Sequence, residues 1–408
     1  MKLVVSKTDH LDGKVKVPPS KSHTHRAVIL ASLASGISTI RNPLLSEDCL
    51  ATVNACKAMG AEIKVGDNLI VKGVDGKLRT PKSVIDVKNS GTTIRFMTTV
   101  AALCNSRVTL TGDESIKKRP MGALLKSLND LGVKAISLNG NDCPPVQIRG
   151  SLKGGKTILS GISSQFLSGL LIACPLAESD TKLDVIELKS KPYIEITLNH
   201  LNRVGVKIQH RNMNEFKIPG KQKISAQDYL VPGDYSSAAF LLAAASITKS
   251  KIELTGLDPN DAQGDKVIIE IIDKMKRDNT REIDLSNAPD LLPIIAVLGC
   301  FADGKTVIKN VEHARLKESD RITSICSELN KMGADIKELK DGLIVRKSDL
   351  KSANLDGHKD HRVVIALSIA ALGTEGTTVI NNAETISVSF PNFVEIMQKL
   401  HANIQLEV

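Results

Sequence analysis

The chain has 408 residues, 42% of them hydrophobic and 24% charged, and carries a formal net charge of +9. That length is too great for one ordinary core and the composition is that of a globular protein, so two domains are the first expectation. Aromatic residues make up only 2%, with no Trp; this deprives a single-strand nucleic-acid binder of its ring platforms and matches the positive charge to small anionic molecules instead.

The seven Cys are odd in number, scattered and without a CxxC pair, which reads as reduced, buried thiols. The start, Met1-Lys2-Leu3-Val4-Val5-Ser6-Lys7, is too soon charged for a signal peptide. The longest apolar stretches, Ala238–Ile247 and Leu291–Ala302, are about half a membrane span and read as buried helices. The expectation is a cytoplasmic protein with no membrane partner.

Along the chain the predicted elements repeat. Ser20-Lys21-Ser22 opens an Ala/Leu-rich helix through Val28–Ala34, followed by a strand at Ser38–Ile40 and a second helix ending in Ala58-Met59-Gly60. Ser90-Gly91-Thr92 opens the next copy, with Thr98–Leu103, Val108–Leu110 and the turn Asp130-Leu131-Gly132. Ser163-Ser164-Gln165 opens the third, with Leu167–Ala173, Leu183–Val185 and Arg203-Val204-Gly205. The fourth runs from Asp234-Tyr235-Ser236-Ser237 through Phe240–Ala245 and Lys251–Leu254 to a degenerate Lys274-Met275-Lys276-Arg277. The fifth runs from Pro289-Asp290 through Ile294–Gly299 and Thr306–Ile308 to Lys331-Met332-Gly333. The sixth runs from Asp360-His361-Arg362 through Ile365–Ala371 and Thr377–Ile380 to a second degenerate turn, Lys399-Leu400-His401.

Each copy reads helix, strand, helix, turn, strand, strand, at a period of roughly 55–75 residues. Gly after the second helix is a C-cap, because it accepts the left-handed conformation. The polar clusters all stand where the first helix of a copy begins, and helix N-termini carry unpaired N–H groups and partial positive charge. Each cluster alone is a good N-cap. Six in register describe a surface built for anions.

Lys317-Glu318-Ser319-Asp320-Arg321 adds chemistry. On one helix, Lys317 and Arg321 would share a face, with Glu318 beside them able to carry a proton. A solvated charged helix is the plainer reading of such a run. Other residues also have plain readings: Asp290 as a cap, Tyr193 as a packing residue, and His361 as a support for Arg362. The pairs His23/His25 and His358/His361 lack a carboxylate or Cys to complete a metal set, so no metal is expected. Gly154-Gly155-Lys156-Thr157 lacks the earlier Gly of a phosphate loop, Arg149 standing there, and reads as a turn between strands.

In combination these motifs resemble the 5-enolpyruvylshikimate-3-phosphate synthase family of enolpyruvyl transferases. The motifs are Pro19-Ser20-Lys21-Ser22 with Arg26, Asn89-Ser90-Gly91-Thr92 with Arg95, Lys118-Arg119-Pro120, Ser163-Ser164-Gln165, Ser190-Lys191-Pro192-Tyr193, Pro289-Asp290, Lys317–Arg321 and Asp360-His361-Arg362. The resemblance runs from about Leu11 to Phe393. It implies an α/β fold of two inside-out domains, each of three repeated βαβαββ-type units with central helices and outer sheets. One domain would be residues 1–18 with 232–408 and the other 19–231, with the active site in the cleft between them.

The implied reaction moves the carboxyvinyl group of phosphoenolpyruvate to the 5-hydroxyl of shikimate 3-phosphate and releases phosphate, a step of aromatic amino-acid biosynthesis, with no cofactor. Asp290 would take the hydroxyl proton, Glu318 would protonate the methylene carbon, and Lys21 would bridge the substrates. Phosphoenolpyruvate would meet Lys21, Gly91, Arg119, Gln165, Arg321 and Arg362. Shikimate 3-phosphate would meet Lys21, Ser22, Arg26, Ser163, Ser164, Gln165, Ser190, Tyr193, Asp290, His313 and Lys317. A monomer with only small-molecule partners is implied, and Gly91 implies competitive inhibition by glyphosate.

The chain departs from the family pattern at two places. Val388 stands where many members carry a lysine, and His313 replaces a polar side chain. Two rivals remain. The sister enzyme acting on UDP-N-acetylglucosamine carries a loop Cys as proton donor, whereas Asp113–Pro120 has none and Cys104 falls in the preceding helix. A non-catalytic anion- or nucleic-acid-binding repeat protein explains the charge but not Asp290 and Glu318.

Overall fold

The computed structural model describes residues 1–161 and 163–407. The chain divides into two compact units, one of Met1–Pro18 with Gly233–Val408 and one of Pro19–Pro232. Pro232, expected with the first, belongs to the second.

Among the described residues of the unit Pro19–Pro232 six α-helices follow in order: α1 (Lys21–Leu33), α2 (Glu47–Ala58), α3 (Gly91–Ala101), α4 (Gly122–Asp130), α5 (Ser164–Ala173) and α6 (Lys191–Arg203). α1, α3 and α5 are buried almost throughout. They are the inner helices of the unit, packed in its core through their apolar residues, and their Ala, Gly, Ser and Thr residues let neighbouring axes come close. α2, α4 and α6 bury one face each. Three four-stranded sheets lie outside them, their strands alternating buried and exposed as in the eBiBe pattern of Ile37–Arg41, the signature of a sheet with one wet face.

Each sheet borrows a parallel edge strand from the preceding copy. Ile85–Asp86 pairs with Val108–Thr111, and Gly155–Ser160 with Thr181–Ile186. Asp228–Leu230, at the end of the unit, returns to pair with Ile37–Arg41 of the first copy. The borrowing closes the three copies into a ring.

The other unit holds α7 (Tyr235–Ile247), α8 (Ile268–Arg277), α9 (Leu292–Phe301), α10 (Arg321–Lys331), α11 (His361–Leu372) and α12 (Phe393–Lys399). Again the first helix of each copy, α7, α9 and α11, is the buried one. The N-terminal segment explains why this unit is discontinuous. Lys2–Ser6 lies between Thr377–Asn381 and Ile404–Glu407, and Asp12–Lys16 runs parallel to Lys251–Thr255. That two-stranded pairing replaces the hairpin of the fourth copy, whose turn is degenerate.

Gly60, Gly132, Gly205 and Gly333 have φ of +111°, +87°, +85° and +87°, the left-handed C-cap expected of them. His401 takes the same conformation in the sixth copy at φ +65°. Gly154 turns at φ +87° into the strand Gly155–Ser160, so the Gly-Gly-Lys-Thr run leads to a strand and not to the helix a phosphate loop requires.

Candidate active site

All six polar clusters stand at the N-termini of the buried helices. Ser20, Ser90, Ser163, Asp234 and Asp360 are the N-cap residues of α1, α3, α5, α7 and α11, and the 3-10 turn Pro289–Leu291 leads into α9. Ser90 accepts from Thr93 N–H, Asp234 from Ser237 N–H and Asp360 from Arg362 N–H. These caps stabilise each start by about 1 kcal/mol.

In the unit with Gly233–Val408 the residues from Lys317 to Arg321 do not form one helix. Asp320 caps α10, which begins only at Arg321, and Lys317 closes the 3-10 turn Glu312–Leu316. The shared-face expectation for Lys317 and Arg321 therefore fails, because a side chain that accepts the Thr323 N–H holds the chain out of helix at 320. The two cations still converge. Arg321 Nη1 lies 2.7 Å and Lys317 Nζ 3.4 Å from Asp290 Oδ1, and Arg362 Nη2 lies 3.2 Å from Asp290 Oδ2.

Arg321, 1% exposed, is the hub. Its guanidinium donates to Asp290 Oδ1 at 2.7 Å, to Glu318 Oε2 at 2.5 Å, and to Asp360 Oδ2 at 2.8 Å and Oδ1 at 3.3 Å. The planar fork suits this task, since a lysine could not spread over three carboxylates. Burial alone would lower the pKa of Arg321, but Asp360, Glu318 and Asp290 together raise it. Burial, the largest influence, pushes Asp360 up, and the charge and hydrogen bond of Arg321 together with His361 outweigh it, leaving Asp360 below the usual carboxylate range. Asp265 behaves oppositely. Burial first and then the repulsion of Asp290 push its carboxyl up to about 7, against the pull of Arg362 and a hydrogen bond from Ser236. His313 is buried in the turn Glu312–Leu316.

In the unit Pro19–Pro232 the expected ligand groups line up at the same kind of ends. Lys21 Nζ forms a 2.8 Å ion pair with the buried Asp48. Ser22 stands next on α1 and is partly exposed. Arg26 is 2% exposed and commits four N–H bonds within the unit, to Thr197 Oγ1, Ser22 O, Ser168 Oγ and Tyr193 O. It ties α1 to α5 and α6 before any ligand arrives. Tyr193 supplies its carbonyl to that network while its ring is partly exposed. Ser190 takes a left-handed φ of +55° as the N-cap of α6.

A Cβ built on Gly91 would collide with the guanidinium of Arg119. Gly91 is thus where the chain leaves room for that cation, which donates to Ser115 Oγ at 3.1 Å. Gln165, the first residue after Ser164 on α5, accepts from Arg95 and donates to Thr92 Oγ1 at 2.8 Å. Ser163 and Ser164 stand at the same helix start.

Sequence reasoning quoted Asp360 and Arg95 within motifs but gave them no role, and passed over Asp48 and Asp265. Asp48 reads as an ordinary first-turn acid of α2, and only its burial distinguishes it. Cys104 lies beyond the end of α3, not within it as expected. It is 3% exposed and touches Thr80.

A family profile described as EPSP synthase (3-phosphoshikimate 1-carboxyvinyltransferase) matches residues 5–397. The 3-phosphoshikimate 1-carboxyvinyltransferase of Methanocaldococcus jannaschii is 47% identical, over 99% of each chain. That of Ruminiclostridium cellulolyticum is 44% identical over the full length of both. Among solved structures, an EPSP synthase from Acinetobacter baumannii matches with a TM-score of 0.84 and 28% identity, covering 100% of each chain. Six repeated copies, the buried carboxylates gathered on Arg321 and full-length matches at this identity agree: the chain belongs to the EPSP synthase family.

Proposed function

We infer that the protein transfers the carboxyvinyl group of phosphoenolpyruvate to the 5-hydroxyl of shikimate 3-phosphate, releasing phosphate, within aromatic amino-acid biosynthesis. The observation that carries the chemistry is the pair Asp290 and Glu318 on one buried guanidinium. Addition to an enol needs a proton delivered to carbon and another removed from the attacking hydroxyl. Two carboxylates in different surroundings suit those tasks.

In this reading Asp290 accepts the 5-hydroxyl proton as that oxygen bonds to C2 of phosphoenolpyruvate, and Glu318 gives a proton to C3, which becomes a methyl. Elimination reverses the second transfer: a methyl proton returns to a carboxylate and the C2–O bond to phosphate breaks. Lys21 neutralises the departing phosphate. Arg119, Arg362 and Arg321, with the room made by Gly91, receive phosphate and carboxylate charge. Ser22, Arg26, Ser163, Ser164, Gln165, Ser190, Tyr193, His313 and Lys317 hold shikimate 3-phosphate. The assignments rest on the resemblance of the motifs together with the convergence of cations in each unit.

No helix among the described residues is long and apolar enough to cross a membrane. A cytoplasmic monomer is part of the proposal, tested by fractionation and sedimentation.

The test is phosphate release from phosphoenolpyruvate with shikimate 3-phosphate or UDP-N-acetylglucosamine as acceptor. Release with shikimate 3-phosphate alone, lost in Glu318→Gln, is the expected result. Release with the nucleotide sugar alone would overturn the substrate, and undiminished release by Glu318→Gln would overturn the proton donor.

A further inference from the structure

The unit Pro19–Pro232 contains a chain of buried polar side chains that the reaction scheme does not use. It begins at Asp48, whose Oδ2 lies 2.8 Å from Lys21 Nζ and 3.8 Å from His25 Nε2. His25 Nδ1 is 2.7 Å from Thr52 Oγ1, Thr52 Oγ1 is 2.6 Å from Thr93 Oγ1, and Thr93 Oγ1 is 2.5 Å from Ser90 Oγ. Ser90 Oγ in turn accepts the Thr93 N–H at 3.1 Å. Asp48, His25, Thr52, Thr93 and Ser90 are 6%, 1%, 0%, 0% and 1% exposed. The chain runs across the starts of α1, α2 and α3 and links Lys21 to the residue before Gly91.

Its direction follows from donor counting. A carboxylate can only accept, so the His25 nitrogen facing Asp48 carries the proton. At 3.8 Å this is an electrostatic contact and not a hydrogen bond; the Cys49 thiol, 3.9 Å from the same nitrogen, is the weaker acceptor. Burial disfavours the charged imidazole of His25, and with the proton on the nitrogen that faces Asp48, Nδ1 accepts. Thr52 therefore donates to His25, Thr93 to Thr52, and Ser90 to Thr93. Every hydroxyl spends its single proton in one direction, and such an aligned buried chain specifies one arrangement of its members. Burial is the largest influence on Asp48 and pushes it up, but Lys21, by charge and hydrogen bond, and His25 together outweigh it and hold Asp48 well below the usual carboxylate range.

We propose that Asp48, His25, Thr52 and Thr93 are positioning residues that tie the ammonium of Lys21 to the Ser90–Gly91 turn, so that both reach the phosphoenolpyruvate phosphate as one preorganised unit. Preorganised donors cost no rearrangement when charge develops, and small misplacements far from the reacting atoms are expensive. This rests on the functional reading above.

The test is Thr52→Val, which keeps the shape and removes both hydroxyl links, beside Thr52→Ser, which keeps them. Thr52→Val is expected to lower kcat/KM for phosphoenolpyruvate by about tenfold or more, since two buried hydrogen bonds are lost. Thr52→Ser should recover the loss. Without substrates, acetylation of Lys21 by acetic anhydride, mapped by peptide against the exposed Lys72, should rise several-fold in Thr52→Val. Thr93→Val and Thr93→Ser repeat the experiment one link further on should Thr52→Val not fold. Unchanged kcat/KM for phosphoenolpyruvate, failure of serine to recover the loss, or unchanged Lys21 acetylation would overturn the proposal. A wild-type protein that transfers nothing would sink the functional reading instead, and Lys21 acetylation would still decide whether the chain holds that side chain.

Discussion

Asp290 and Glu318 share one guanidinium: Arg321 donates to Asp290 Oδ1 through Nη1 at 2.7 Å and to Glu318 Oε2 through Nη2 at 2.5 Å. A third carboxylate, Asp360, takes the Nε–H at 2.8 Å. The side chain proposed to give a proton and the one proposed to take it are thus fixed by the same buried cation.

Removing that cation should be far worse than neutralising one carboxylate. Arg321→Leu leaves Asp290, Glu318 and Asp360 without their common partner, and breaking a buried ion pair from one side costs about 3–5 kcal/mol. Glu318→Gln keeps an oxygen to accept the Arg321 bond, so its stability should stay within about 1 kcal/mol of wild type while phosphate release is lost. Urea unfolding of the two variants, read beside activity, checks the contrast. Equal stabilities would mean that Arg321 does not bind the cluster together.

Asp265 gives this unit a pH dependence of unusual sign. Its folded carboxyl is pushed up to about 7 by burial and by Asp290, above the unfolded value near 4. Between those limits the folded state binds more protons, so the stability this group contributes is full below about pH 4 and is lost as pH rises through about 7, at up to about 1 kcal/mol per pH unit. Asp360, held low by Arg321 against its burial, works the other way and loses its contribution only as pH falls below the carboxylate range. Asp265→Asn should therefore gain stability relative to wild type on going from pH 4 to 7. A constant difference in unfolding free energy across that range would refute the assignment.

The repeat was legible because it is local: each copy carries its own cap, apolar helix and glycine turn. What was not legible depends on partners far along the chain. Nothing near Lys251–Thr255 announces that its neighbour is Asp12–Lys16. Lys317 and Arg321 were expected on one helix face, yet they meet because Asp290, on a different element, draws both cations. Asp48 and Asp265 carry no motif of their own, and their weight comes from burial, which no spacing rule reports.

Gly91 tests the pocket by volume. A methyl group there would land on the Arg119 guanidinium and displace it from the position in which it donates to Ser115 Oγ. Gly91→Ala should raise KM for phosphoenolpyruvate about tenfold with a smaller change in kcat, the pattern of lost ground-state contact. Glyphosate should inhibit the wild type competitively with phosphoenolpyruvate and inhibit Gly91→Ala much less. Inhibition that raising phosphoenolpyruvate fails to relieve would show that the herbicide does not occupy the space beside Arg119.

Val388 tests the proposed contribution of the unit with Gly233–Val408 to phosphoenolpyruvate binding. It ends the 3-10 stretch Ala383–Val388 and is 8% exposed, where relatives of the resembled family often place a lysine. Val388→Lys should lower KM for phosphoenolpyruvate by roughly tenfold, the scale of one hydrogen bond to a charged group. It should also cost stability, because a buried ammonium must reach a polar partner or extend to water, and the lost Val packing adds about 1 kcal/mol. Phosphoenolpyruvate should recover part of that loss by binding the folded state, so the melting temperature should rise more with ligand in the variant than in wild type. A KM that does not fall, with no added ligand stabilisation, would mean that Arg362, Arg321 and their neighbours already supply all the positive charge this substrate can use.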